Sequence, residues 1–252
     1  MNDVKAEQAP PEGGEPKAVK PAVTMFEGAD MSPTALQSRQ ELVIALVGAI
    51  GSDLKRPFLE LAAILKTYGY EACEIALSDT IRSLYELPRE DRPSFEQRLA
   101  LIRGGDDICE VLKDEAALVD AAIVAMRAER TRLHAEAAAK GGPPPKVCFV
   151  LRSLKRPQEL ERLRGVYGGT FYAIGVFADK AERTRRLTGE LAEDGNEQDP
   201  VARRHAEQLV AVDENERSRW GQKVSDTFAQ VDCIVRSDTQ DDVREALERF
   251  IP

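Results

Sequence analysis

The stretch "ALVGAIGSDLK", residues 45–55, connects a predicted strand to a predicted helix through two glycines. The unbroken apolar run over 42–47 predicts a parallel strand that is buried on both faces. After Gly48 and Gly51, apolar residues recur at helical spacing and predict a helix from about Leu54 to Thr67. A strand, a glycine turn and a helix together are the layout of a phosphate-binding loop.

The loop departs from the complete motif, G-x-x-x-x-G-K-S/T, at its last three positions. Counting from Gly48, Asp53 stands in place of the second glycine, Leu54 in place of the lysine and Lys55 in place of the hydroxyl that holds Mg²⁺. Lys55 lies one step late, roughly 100° further round a helix, although its long side chain recovers part of that angle. Asp53 makes a good helix cap but repels a phosphate unless a metal or a cation lies between them.

Two interpretations of the loop therefore remain open. It is either an anion-binding cradle without the Mg²⁺ ligand or a strand-to-helix turn without a ligand. The residues that could form the cradle are Gly48, Gly51 and Ser52. The cradle is favoured because this loop follows the first strand of the predicted sheet, at the edge where such sheets bind ligands.

Strands and helices alternate along the chain and predict an α/β fold with a doubly wound, mainly parallel sheet. We expect a disordered tail over 1–38 and one domain over 39–252, in which 179–217 is a lid-like helical segment. The predicted strands are 42–47, 72–77, 147–151, 171–177 and 231–235. The predicted helices include 54–67, a short one after Pro93, 106–139, 157–167 and 241–250.

Composition and motifs restrict which partners and which kinds of metal site are expected. The 252 residues carry a formal net charge of −9, so no overall attraction to DNA or to a membrane surface is expected. The four cysteines form no C-x-x-C pair and the N-terminus lacks an apolar signal region, which predicts reduced thiols and a cytoplasmic protein. His134-Ala135-Glu136 matches half of a zinc deaminase signature, but the P-C-x-x-C half is absent, so no zinc site is predicted.

Further charged residues follow the second and third predicted strands. Asp79 either contacts a sugar or base or caps the next helix. Arg152, Lys155 and Arg156 either bind phosphates or form a solvated basic turn. Arginines within 179–217 are those a lid would use over a nucleotide, although a solvated helix face is the commoner explanation.

Four stretches in this order resemble the N-terminal part of the two-domain anti-phage deoxycytidylate deaminases. They are "LVIALVGAIGSDL" at 42–54, "LSD" at 77–79, "LRSLKRPQELERLRGVYGGTFYAIGVFA" at 151–178 and "WGQKVSDTFAQVDCIV" at 220–235. In that family a kinase-like phosphate-loop domain precedes a zinc deaminase domain, which converts deoxycytidine nucleotides to deoxyuridine nucleotides. The resemblance spans about residues 40 to 250 and implies a stand-alone or split kinase-like domain, without deaminase activity of its own.

From the residues and the resemblance together we expect a regulatory or assembly domain that binds ATP or a dNTP with Mg²⁺ but transfers no phosphoryl group efficiently. Its expected partners are a deaminase domain or chain and a second copy of itself. The alternatives are an active nucleoside or nucleotide kinase and a nucleotide-free interaction scaffold. No catalytic or metal-ligating residue is predicted. The predicted nucleotide-binding residues are Gly48, Gly51, Ser52, Asp53, Lys55, Asp79, Arg152, Lys155 and Arg156.

Overall fold

The computed structural model describes residues 41–214, 220–238 and 242–251. The predicted tail over 1–38 and residues 215–217 of the predicted lid-like segment lie outside these ranges. The strands are β1 (Glu41–Val47), β2 (Tyr70–Ala76), β3 (Lys146–Leu154), β4 (Phe171–Phe177) and β5 (Cys233–Arg236). The helices are α1 (Lys55–Thr67), α2 (Leu77–Tyr85), α3 (Phe95–Leu112), α4 (Ala117–Ala139), α5 (Pro157–Tyr167), α6 (Lys180–Leu191), α7 (Pro200–Asp213), α8 (Val224–Phe228) and α9 (Asp242–Phe250).

The five strands form one sheet in the order β2-β3-β1-β4-β5. All four neighbouring pairs are parallel. This confirms the predicted α/β fold with a parallel, doubly wound sheet. The carboxyl ends of β1, β3 and β4 consequently meet at one edge of the sheet, with β1 between the other two.

Two apolar cores flank the sheet, because successive side chains of a strand point to opposite faces. Ile44 and Leu46 of β1 pack into a core with α1 and α9. Val43, Ala45 and Val47 face the other core, which contains residues of α2, α4 and α5. The helices that follow the neighbouring strands β1 and β3 thus lie on opposite faces, which opens a crevice between the ends of these strands.

The region between β2 and β3 differs from the sequence-based expectation. The single helix expected over 106–139 is wrong, because α3 ends at Leu112 and α4 begins at Ala117. Lys113 adopts a left-handed backbone with φ 52°, and the Asp114 carboxylate accepts a hydrogen bond from the Ala116 amide at 2.8 Å. A turn stabilised by an aspartate side chain thus interrupts a pattern with continuous helical periodicity. No helix within the described ranges is long and apolar enough to cross a membrane.

The helices α6 and α7 form a hairpin that packs on the loop after β1. Leu187, Ala206 and Val210 are buried between the two helices, and Ile50 of the loop packs against them. At its other end the hairpin contacts α3, where the rings of Phe95 and His205 stack with centroids 4.4 Å apart. The described part of the predicted lid-like segment is therefore in contact with both the loop and α3.

Candidate functional site

The two glycines of the loop after β1 allow close approaches that a side chain would prevent. A Cβ on Gly51 would lie 2.7 Å from the backbone oxygen of Arg183 in α6, and its φ of 82° is itself unfavourable for other residues. A Cβ on Gly48 would lie 2.7 Å from the Leu54 side chain and 3.3 Å from the backbone oxygen of Val176. The loop therefore lies directly against the backbone of α6.

Asp53 occupies the N-terminus of α1 with its carboxylate. Its Oδ1 accepts hydrogen bonds from the amides of Lys55 at 3.1 Å and Arg56 at 3.2 Å. Its Oδ2 lies 3.1 Å from the guanidinium of Arg186 in α6. The first amides of a helix and an arginine are the donors that bind a phosphate at a helix N-terminus. In this chain they are bonded to a carboxylate of the protein itself.

Asp213, at the end of α7, binds the other end of the loop. One carboxylate oxygen accepts a hydrogen bond from the Ile50 amide at 2.7 Å, and the other lies 2.5 Å from the Lys155 ammonium group. The Asp213 side chain is completely buried. Arg183 adds a hydrogen bond to the Ile50 carbonyl at 3.3 Å and an ion pair with Glu214 at 2.5 Å. The loop, the end of β3 and the hairpin are thus tied together by charged groups.

A cavity of about 280 Å³ lies between the loop, the end of β3 and α6. Its cations are Lys55, Arg152, Lys155 and Arg186. Three of them are paired, Arg152 with Glu74, Lys155 with Asp213 and Arg186 with Asp53. The exposed Lys55 makes no ion pair with another described residue. Most of the positive charge that a phosphate would require is therefore already neutralised by the protein.

The structure brings most, but not all, of the predicted residues to this cavity. The ones that line it are Gly48, Gly51, Ser52, Asp53, Lys55, Arg152 and Lys155. Asp79 lies elsewhere, in the first turn of α2, where it pairs with Arg82 at 2.9 Å and Arg89 at 3.4 Å. It borders a mainly apolar cavity of about 430 Å³ between β2, α2 and α4.

Arg156 is buried, with an exposed fraction of 1%, and does not line the loop cavity. Its guanidinium lies 2.6 Å from Asp106 and 3.4 Å from Glu159, and it donates to the Trp220 carbonyl at 3.0 Å. Burial raises the pKa of Asp106 to about 6, although the neighbouring Arg156 acts in the opposite direction. These contacts connect α3, α5 and the segment before α8, so the structure gives Arg156 a role in packing.

Ser153 is a residue of the site that the sequence analysis missed. It forms a bulge, because Leu46 pairs with Arg152 while the next residue, Val47, pairs with Leu154. Its φ of 71° is unusual for a residue other than glycine, and such backbone costs on the order of 1 kcal/mol or more. Ser153 lines the loop cavity between Arg152 and Lys155. A serine in a charged turn gives no sequence signal for a bulge.

The residues at the loop do not fit a Mg²⁺ ion held by the protein. The motif places its hydroxyl ligand at position 55, where this chain has a lysine. Across the described ranges, no group of three or more His, Cys, Asp or Glu side chains could hold a metal ion. Mg²⁺ could therefore enter this loop only together with the phosphates of a nucleotide.

The sequence matches no protein-family model, and no curated protein sequence matches it significantly. Several solved structures resemble it at low identity. Shikimate kinase from Bacteroides thetaiotaomicron is 15% identical with a TM-score of 0.41, over 83% of this chain and 96% of that one. Shikimate kinase from Acinetobacter baumannii in complex with shikimate is 9% identical with a TM-score of 0.40, over 87% and 95%. Kti12 from Chaetomium thermophilum in complex with ADP-AlF3 is 16% identical with a TM-score of 0.36, over 83% and 97%. These likenesses are distant, so the fold assignment depends on the strand order and the loop of this chain.

Proposed function

We propose that this chain is a kinase-like domain that binds the phosphates of a nucleotide at the loop after β1 but does not transfer a phosphoryl group efficiently. The observation that carries the proposal is the position of Asp53. Its carboxylate bonds to the first amides of α1 and to Arg186, which are the donors that a nucleotide phosphate would use. The cavity beside it, lined by Lys55, lies where parallel α/β sheets bind ligands.

Absence of turnover is proposed on chemical grounds. Phosphoryl transfer depends on positioning the phosphates and on stabilising their charge with Mg²⁺ and a lysine. In this loop Leu54 replaces the lysine and Lys55 replaces the hydroxyl ligand. Leu54 packs with the core on the α1 side of the sheet, so it contributes apolar contact instead of charge.

The biological role that we propose is regulation or assembly in a deoxycytidylate deaminase-type anti-phage system. Its support is the sequence resemblance over about residues 40 to 250, and its proposed partners are a deaminase chain and a second copy of this chain. Co-purification with a co-expressed deaminase of that family, and phage plating with and without this chain, test the role. Loss of protection on deletion of this chain supports it, and unchanged protection contradicts it.

A nucleotide-free scaffold is the second candidate, because several amides of the loop and of the start of α1 already have acceptors within the protein. Besides the three amides bonded to Asp53 and Asp213, the Ser52 amide donates to the Ala49 carbonyl and the Leu54 amide to the Ser52 carbonyl, each at 3.0 Å. A scaffold needs the loop only as a folded turn, and these bonds are sufficient for that.

Calorimetry of the full chain with ATP, dATP, dCTP, dTTP and GTP, each with and without Mg²⁺, distinguishes the candidates when it is combined with an ADP-release assay. We expect binding of at least one nucleotide and no ADP release above the blank. No binding at millimolar concentration favours the scaffold, and ADP release with a deoxynucleoside or deoxynucleotide acceptor identifies an active kinase. Lys55→Ala is expected to weaken binding. The matched control is Lys66→Ala in the last turn of the same helix, which is expected to leave binding unchanged.

A further inference from the structure

We infer that Asp53 is a built-in substitute for a phosphate group and that a ligand must displace it to enter the loop. The inference rests on the proposed function and concerns the regulation of the same site. The Asp53 carboxylate accepts hydrogen bonds from the Lys55 and Arg56 amides through Oδ1 and pairs with Arg186 through Oδ2. A phosphate cannot make the same bonds while Asp53 keeps them.

Charge makes the two states mutually exclusive. A carboxylate and a phosphate that compete for the same amides repel each other, and the repulsion is large at the separations of a hydrogen-bonded site. The Asp53 side chain is 22% exposed and that of Arg186 is 29% exposed, so both reach solvent. Exchange of Asp53 for an incoming anion therefore does not require the core to open.

The contact of Asp53 also connects the loop to the α6–α7 hairpin. Arg186 lies in α6, one turn after Arg183, whose backbone packs on Gly51 and whose guanidinium donates to the Ile50 carbonyl. At the far end of α6, Glu190 pairs with Arg98 of α3 at 2.8 Å. Displacement of Asp53 frees Arg186 to bind the ligand, so ligand binding changes the contacts of α6.

Asp213, unlike Asp53, does not exchange with a ligand, because its side chain is fully buried. It bonds to the Ile50 amide and to Lys155 with a fully buried side chain, and these bonds keep the hairpin attached when Asp53 leaves. Only the contacts of Asp53, on the side of the loop that faces α1 and Arg186, are therefore exchanged when a ligand binds. Release of Asp53 leaves the loop and the hairpin joined at Ile50.

The test is calorimetric titration of the full chain with inorganic pyrophosphate and with ATP, in the wild type and in Asp53→Asn. Asparagine keeps a side-chain oxygen for the helix cap and removes the charge. Asp53→Asn is expected to bind pyrophosphate about tenfold or more tightly than the wild type. Asp53→Gly, which introduces the residue of the complete motif, is expected to change affinity in the same direction, so the result does not depend on one variant folding.

Asp199→Asn is the matched control, because Asp199 caps α7 through the Val201 and Ala202 amides at 2.8 and 2.7 Å and does not line the loop cavity. It is expected to bind pyrophosphate like the wild type. Amide exchange over 180–191 is expected to change when pyrophosphate is added to the wild type, while exchange over 242–250 does not. Equal affinity of the wild type and both Asp53 variants overturns the inference alone. No binding by any of these proteins overturns it together with the proposed function.

Discussion

The loop after β1 and the turn after β3 lie at the same edge of the sheet and differ in how their charges are compensated. In the loop, the Asp53–Arg186 pair is partly exposed to solvent. In the turn, Arg156 is buried and bonded to Asp106, Glu159 and the Trp220 carbonyl. An exposed pair contributes little to stability and can be exchanged for a ligand, whereas removal of one partner from a buried pair leaves the other charge uncompensated. The first arrangement suits a binding site and the second belongs to the core.

The largest loss of stability is expected from Arg156→Met, which removes the buried cation of the turn after β3. It leaves Glu159 and Asp106 without their cation, and breaking a buried pair in this way costs about 3–5 kcal/mol. Urea denaturation is expected to show a loss of that size in the free energy of unfolding. A loss as small as that of the exposed control Arg203→Met would contradict the buried role of Arg156.

Asp213→Ala is expected to have the next largest effect. It leaves the Lys155 ammonium group and the Ile50 amide without their buried acceptor, which costs about 2–4 kcal/mol. Thermal and urea unfolding measure this loss. Hydrogen exchange over 48–56 should quicken in the same variant, and if it does not, Asp213 is not the anchor of the loop.

Asp53→Ala and Asp199→Ala form a pair that separates capping from binding. Each removes a carboxylate that accepts two amide hydrogen bonds at the start of a helix, so each is expected to lower the free energy of unfolding by about 1 kcal/mol. Only Asp53→Ala is expected to change affinity for pyrophosphate. Equal changes in affinity would show that the effect reflects net charge instead of the loop.

A separate effect is expected in the pH dependence of stability. Because burial raises the pKa of Asp106 to about 6, the folded protein retains a proton that the unfolded chain releases at lower pH. The stabilising contribution of this group is therefore complete below about pH 4 and is lost as the pH rises through 6. Asp106→Asn should show a smaller fall in melting temperature from pH 4 to 6 than the wild type. Asp107→Asn, at the exposed neighbouring position, should reduce this fall only in part, because the Asp107 charge helps to raise the pKa of Asp106 while burial raises it most.

The fold was largely predictable because buried parallel strands read as continuous apolar runs. Residues 42–47 and 171–177 correspond closely to β1 and β4. Helix ends were less predictable, since a left-handed residue at Lys113 ends α3 within a pattern that is helical on both sides. Local periodicity predicts whether a segment is a helix or a strand better than it predicts where a helix is interrupted.

The position of the candidate site was predictable from the sequence, but the hydrogen bonds and ion pairs within it were not. The loop follows the first strand, and the glycines that permit its close contacts are visible in the sequence. The partner of the Ile50 amide is Asp213, which lies 163 residues later, and no local pattern indicates that contact. Lys155 and Arg156 are adjacent and chemically similar, yet the structure places one at the cavity and the other in the core. Which cations remain available to a ligand depends on tertiary pairing.

The bulge at Ser153 determines which face of the sheet the end of β3 presents. Phe149 and Leu151 face the core that contains α4 and α5, and so does Leu154, which the extra residue moves onto that face. In a regular strand, Ser153 would take that position in the core and Leu154 would turn to the opposite face. The bulge therefore shifts the alternation of the strand by one residue, so that the serine stays at the cavity and the leucine returns to the core. One unpaired residue thus lets the same strand end serve the core and the site.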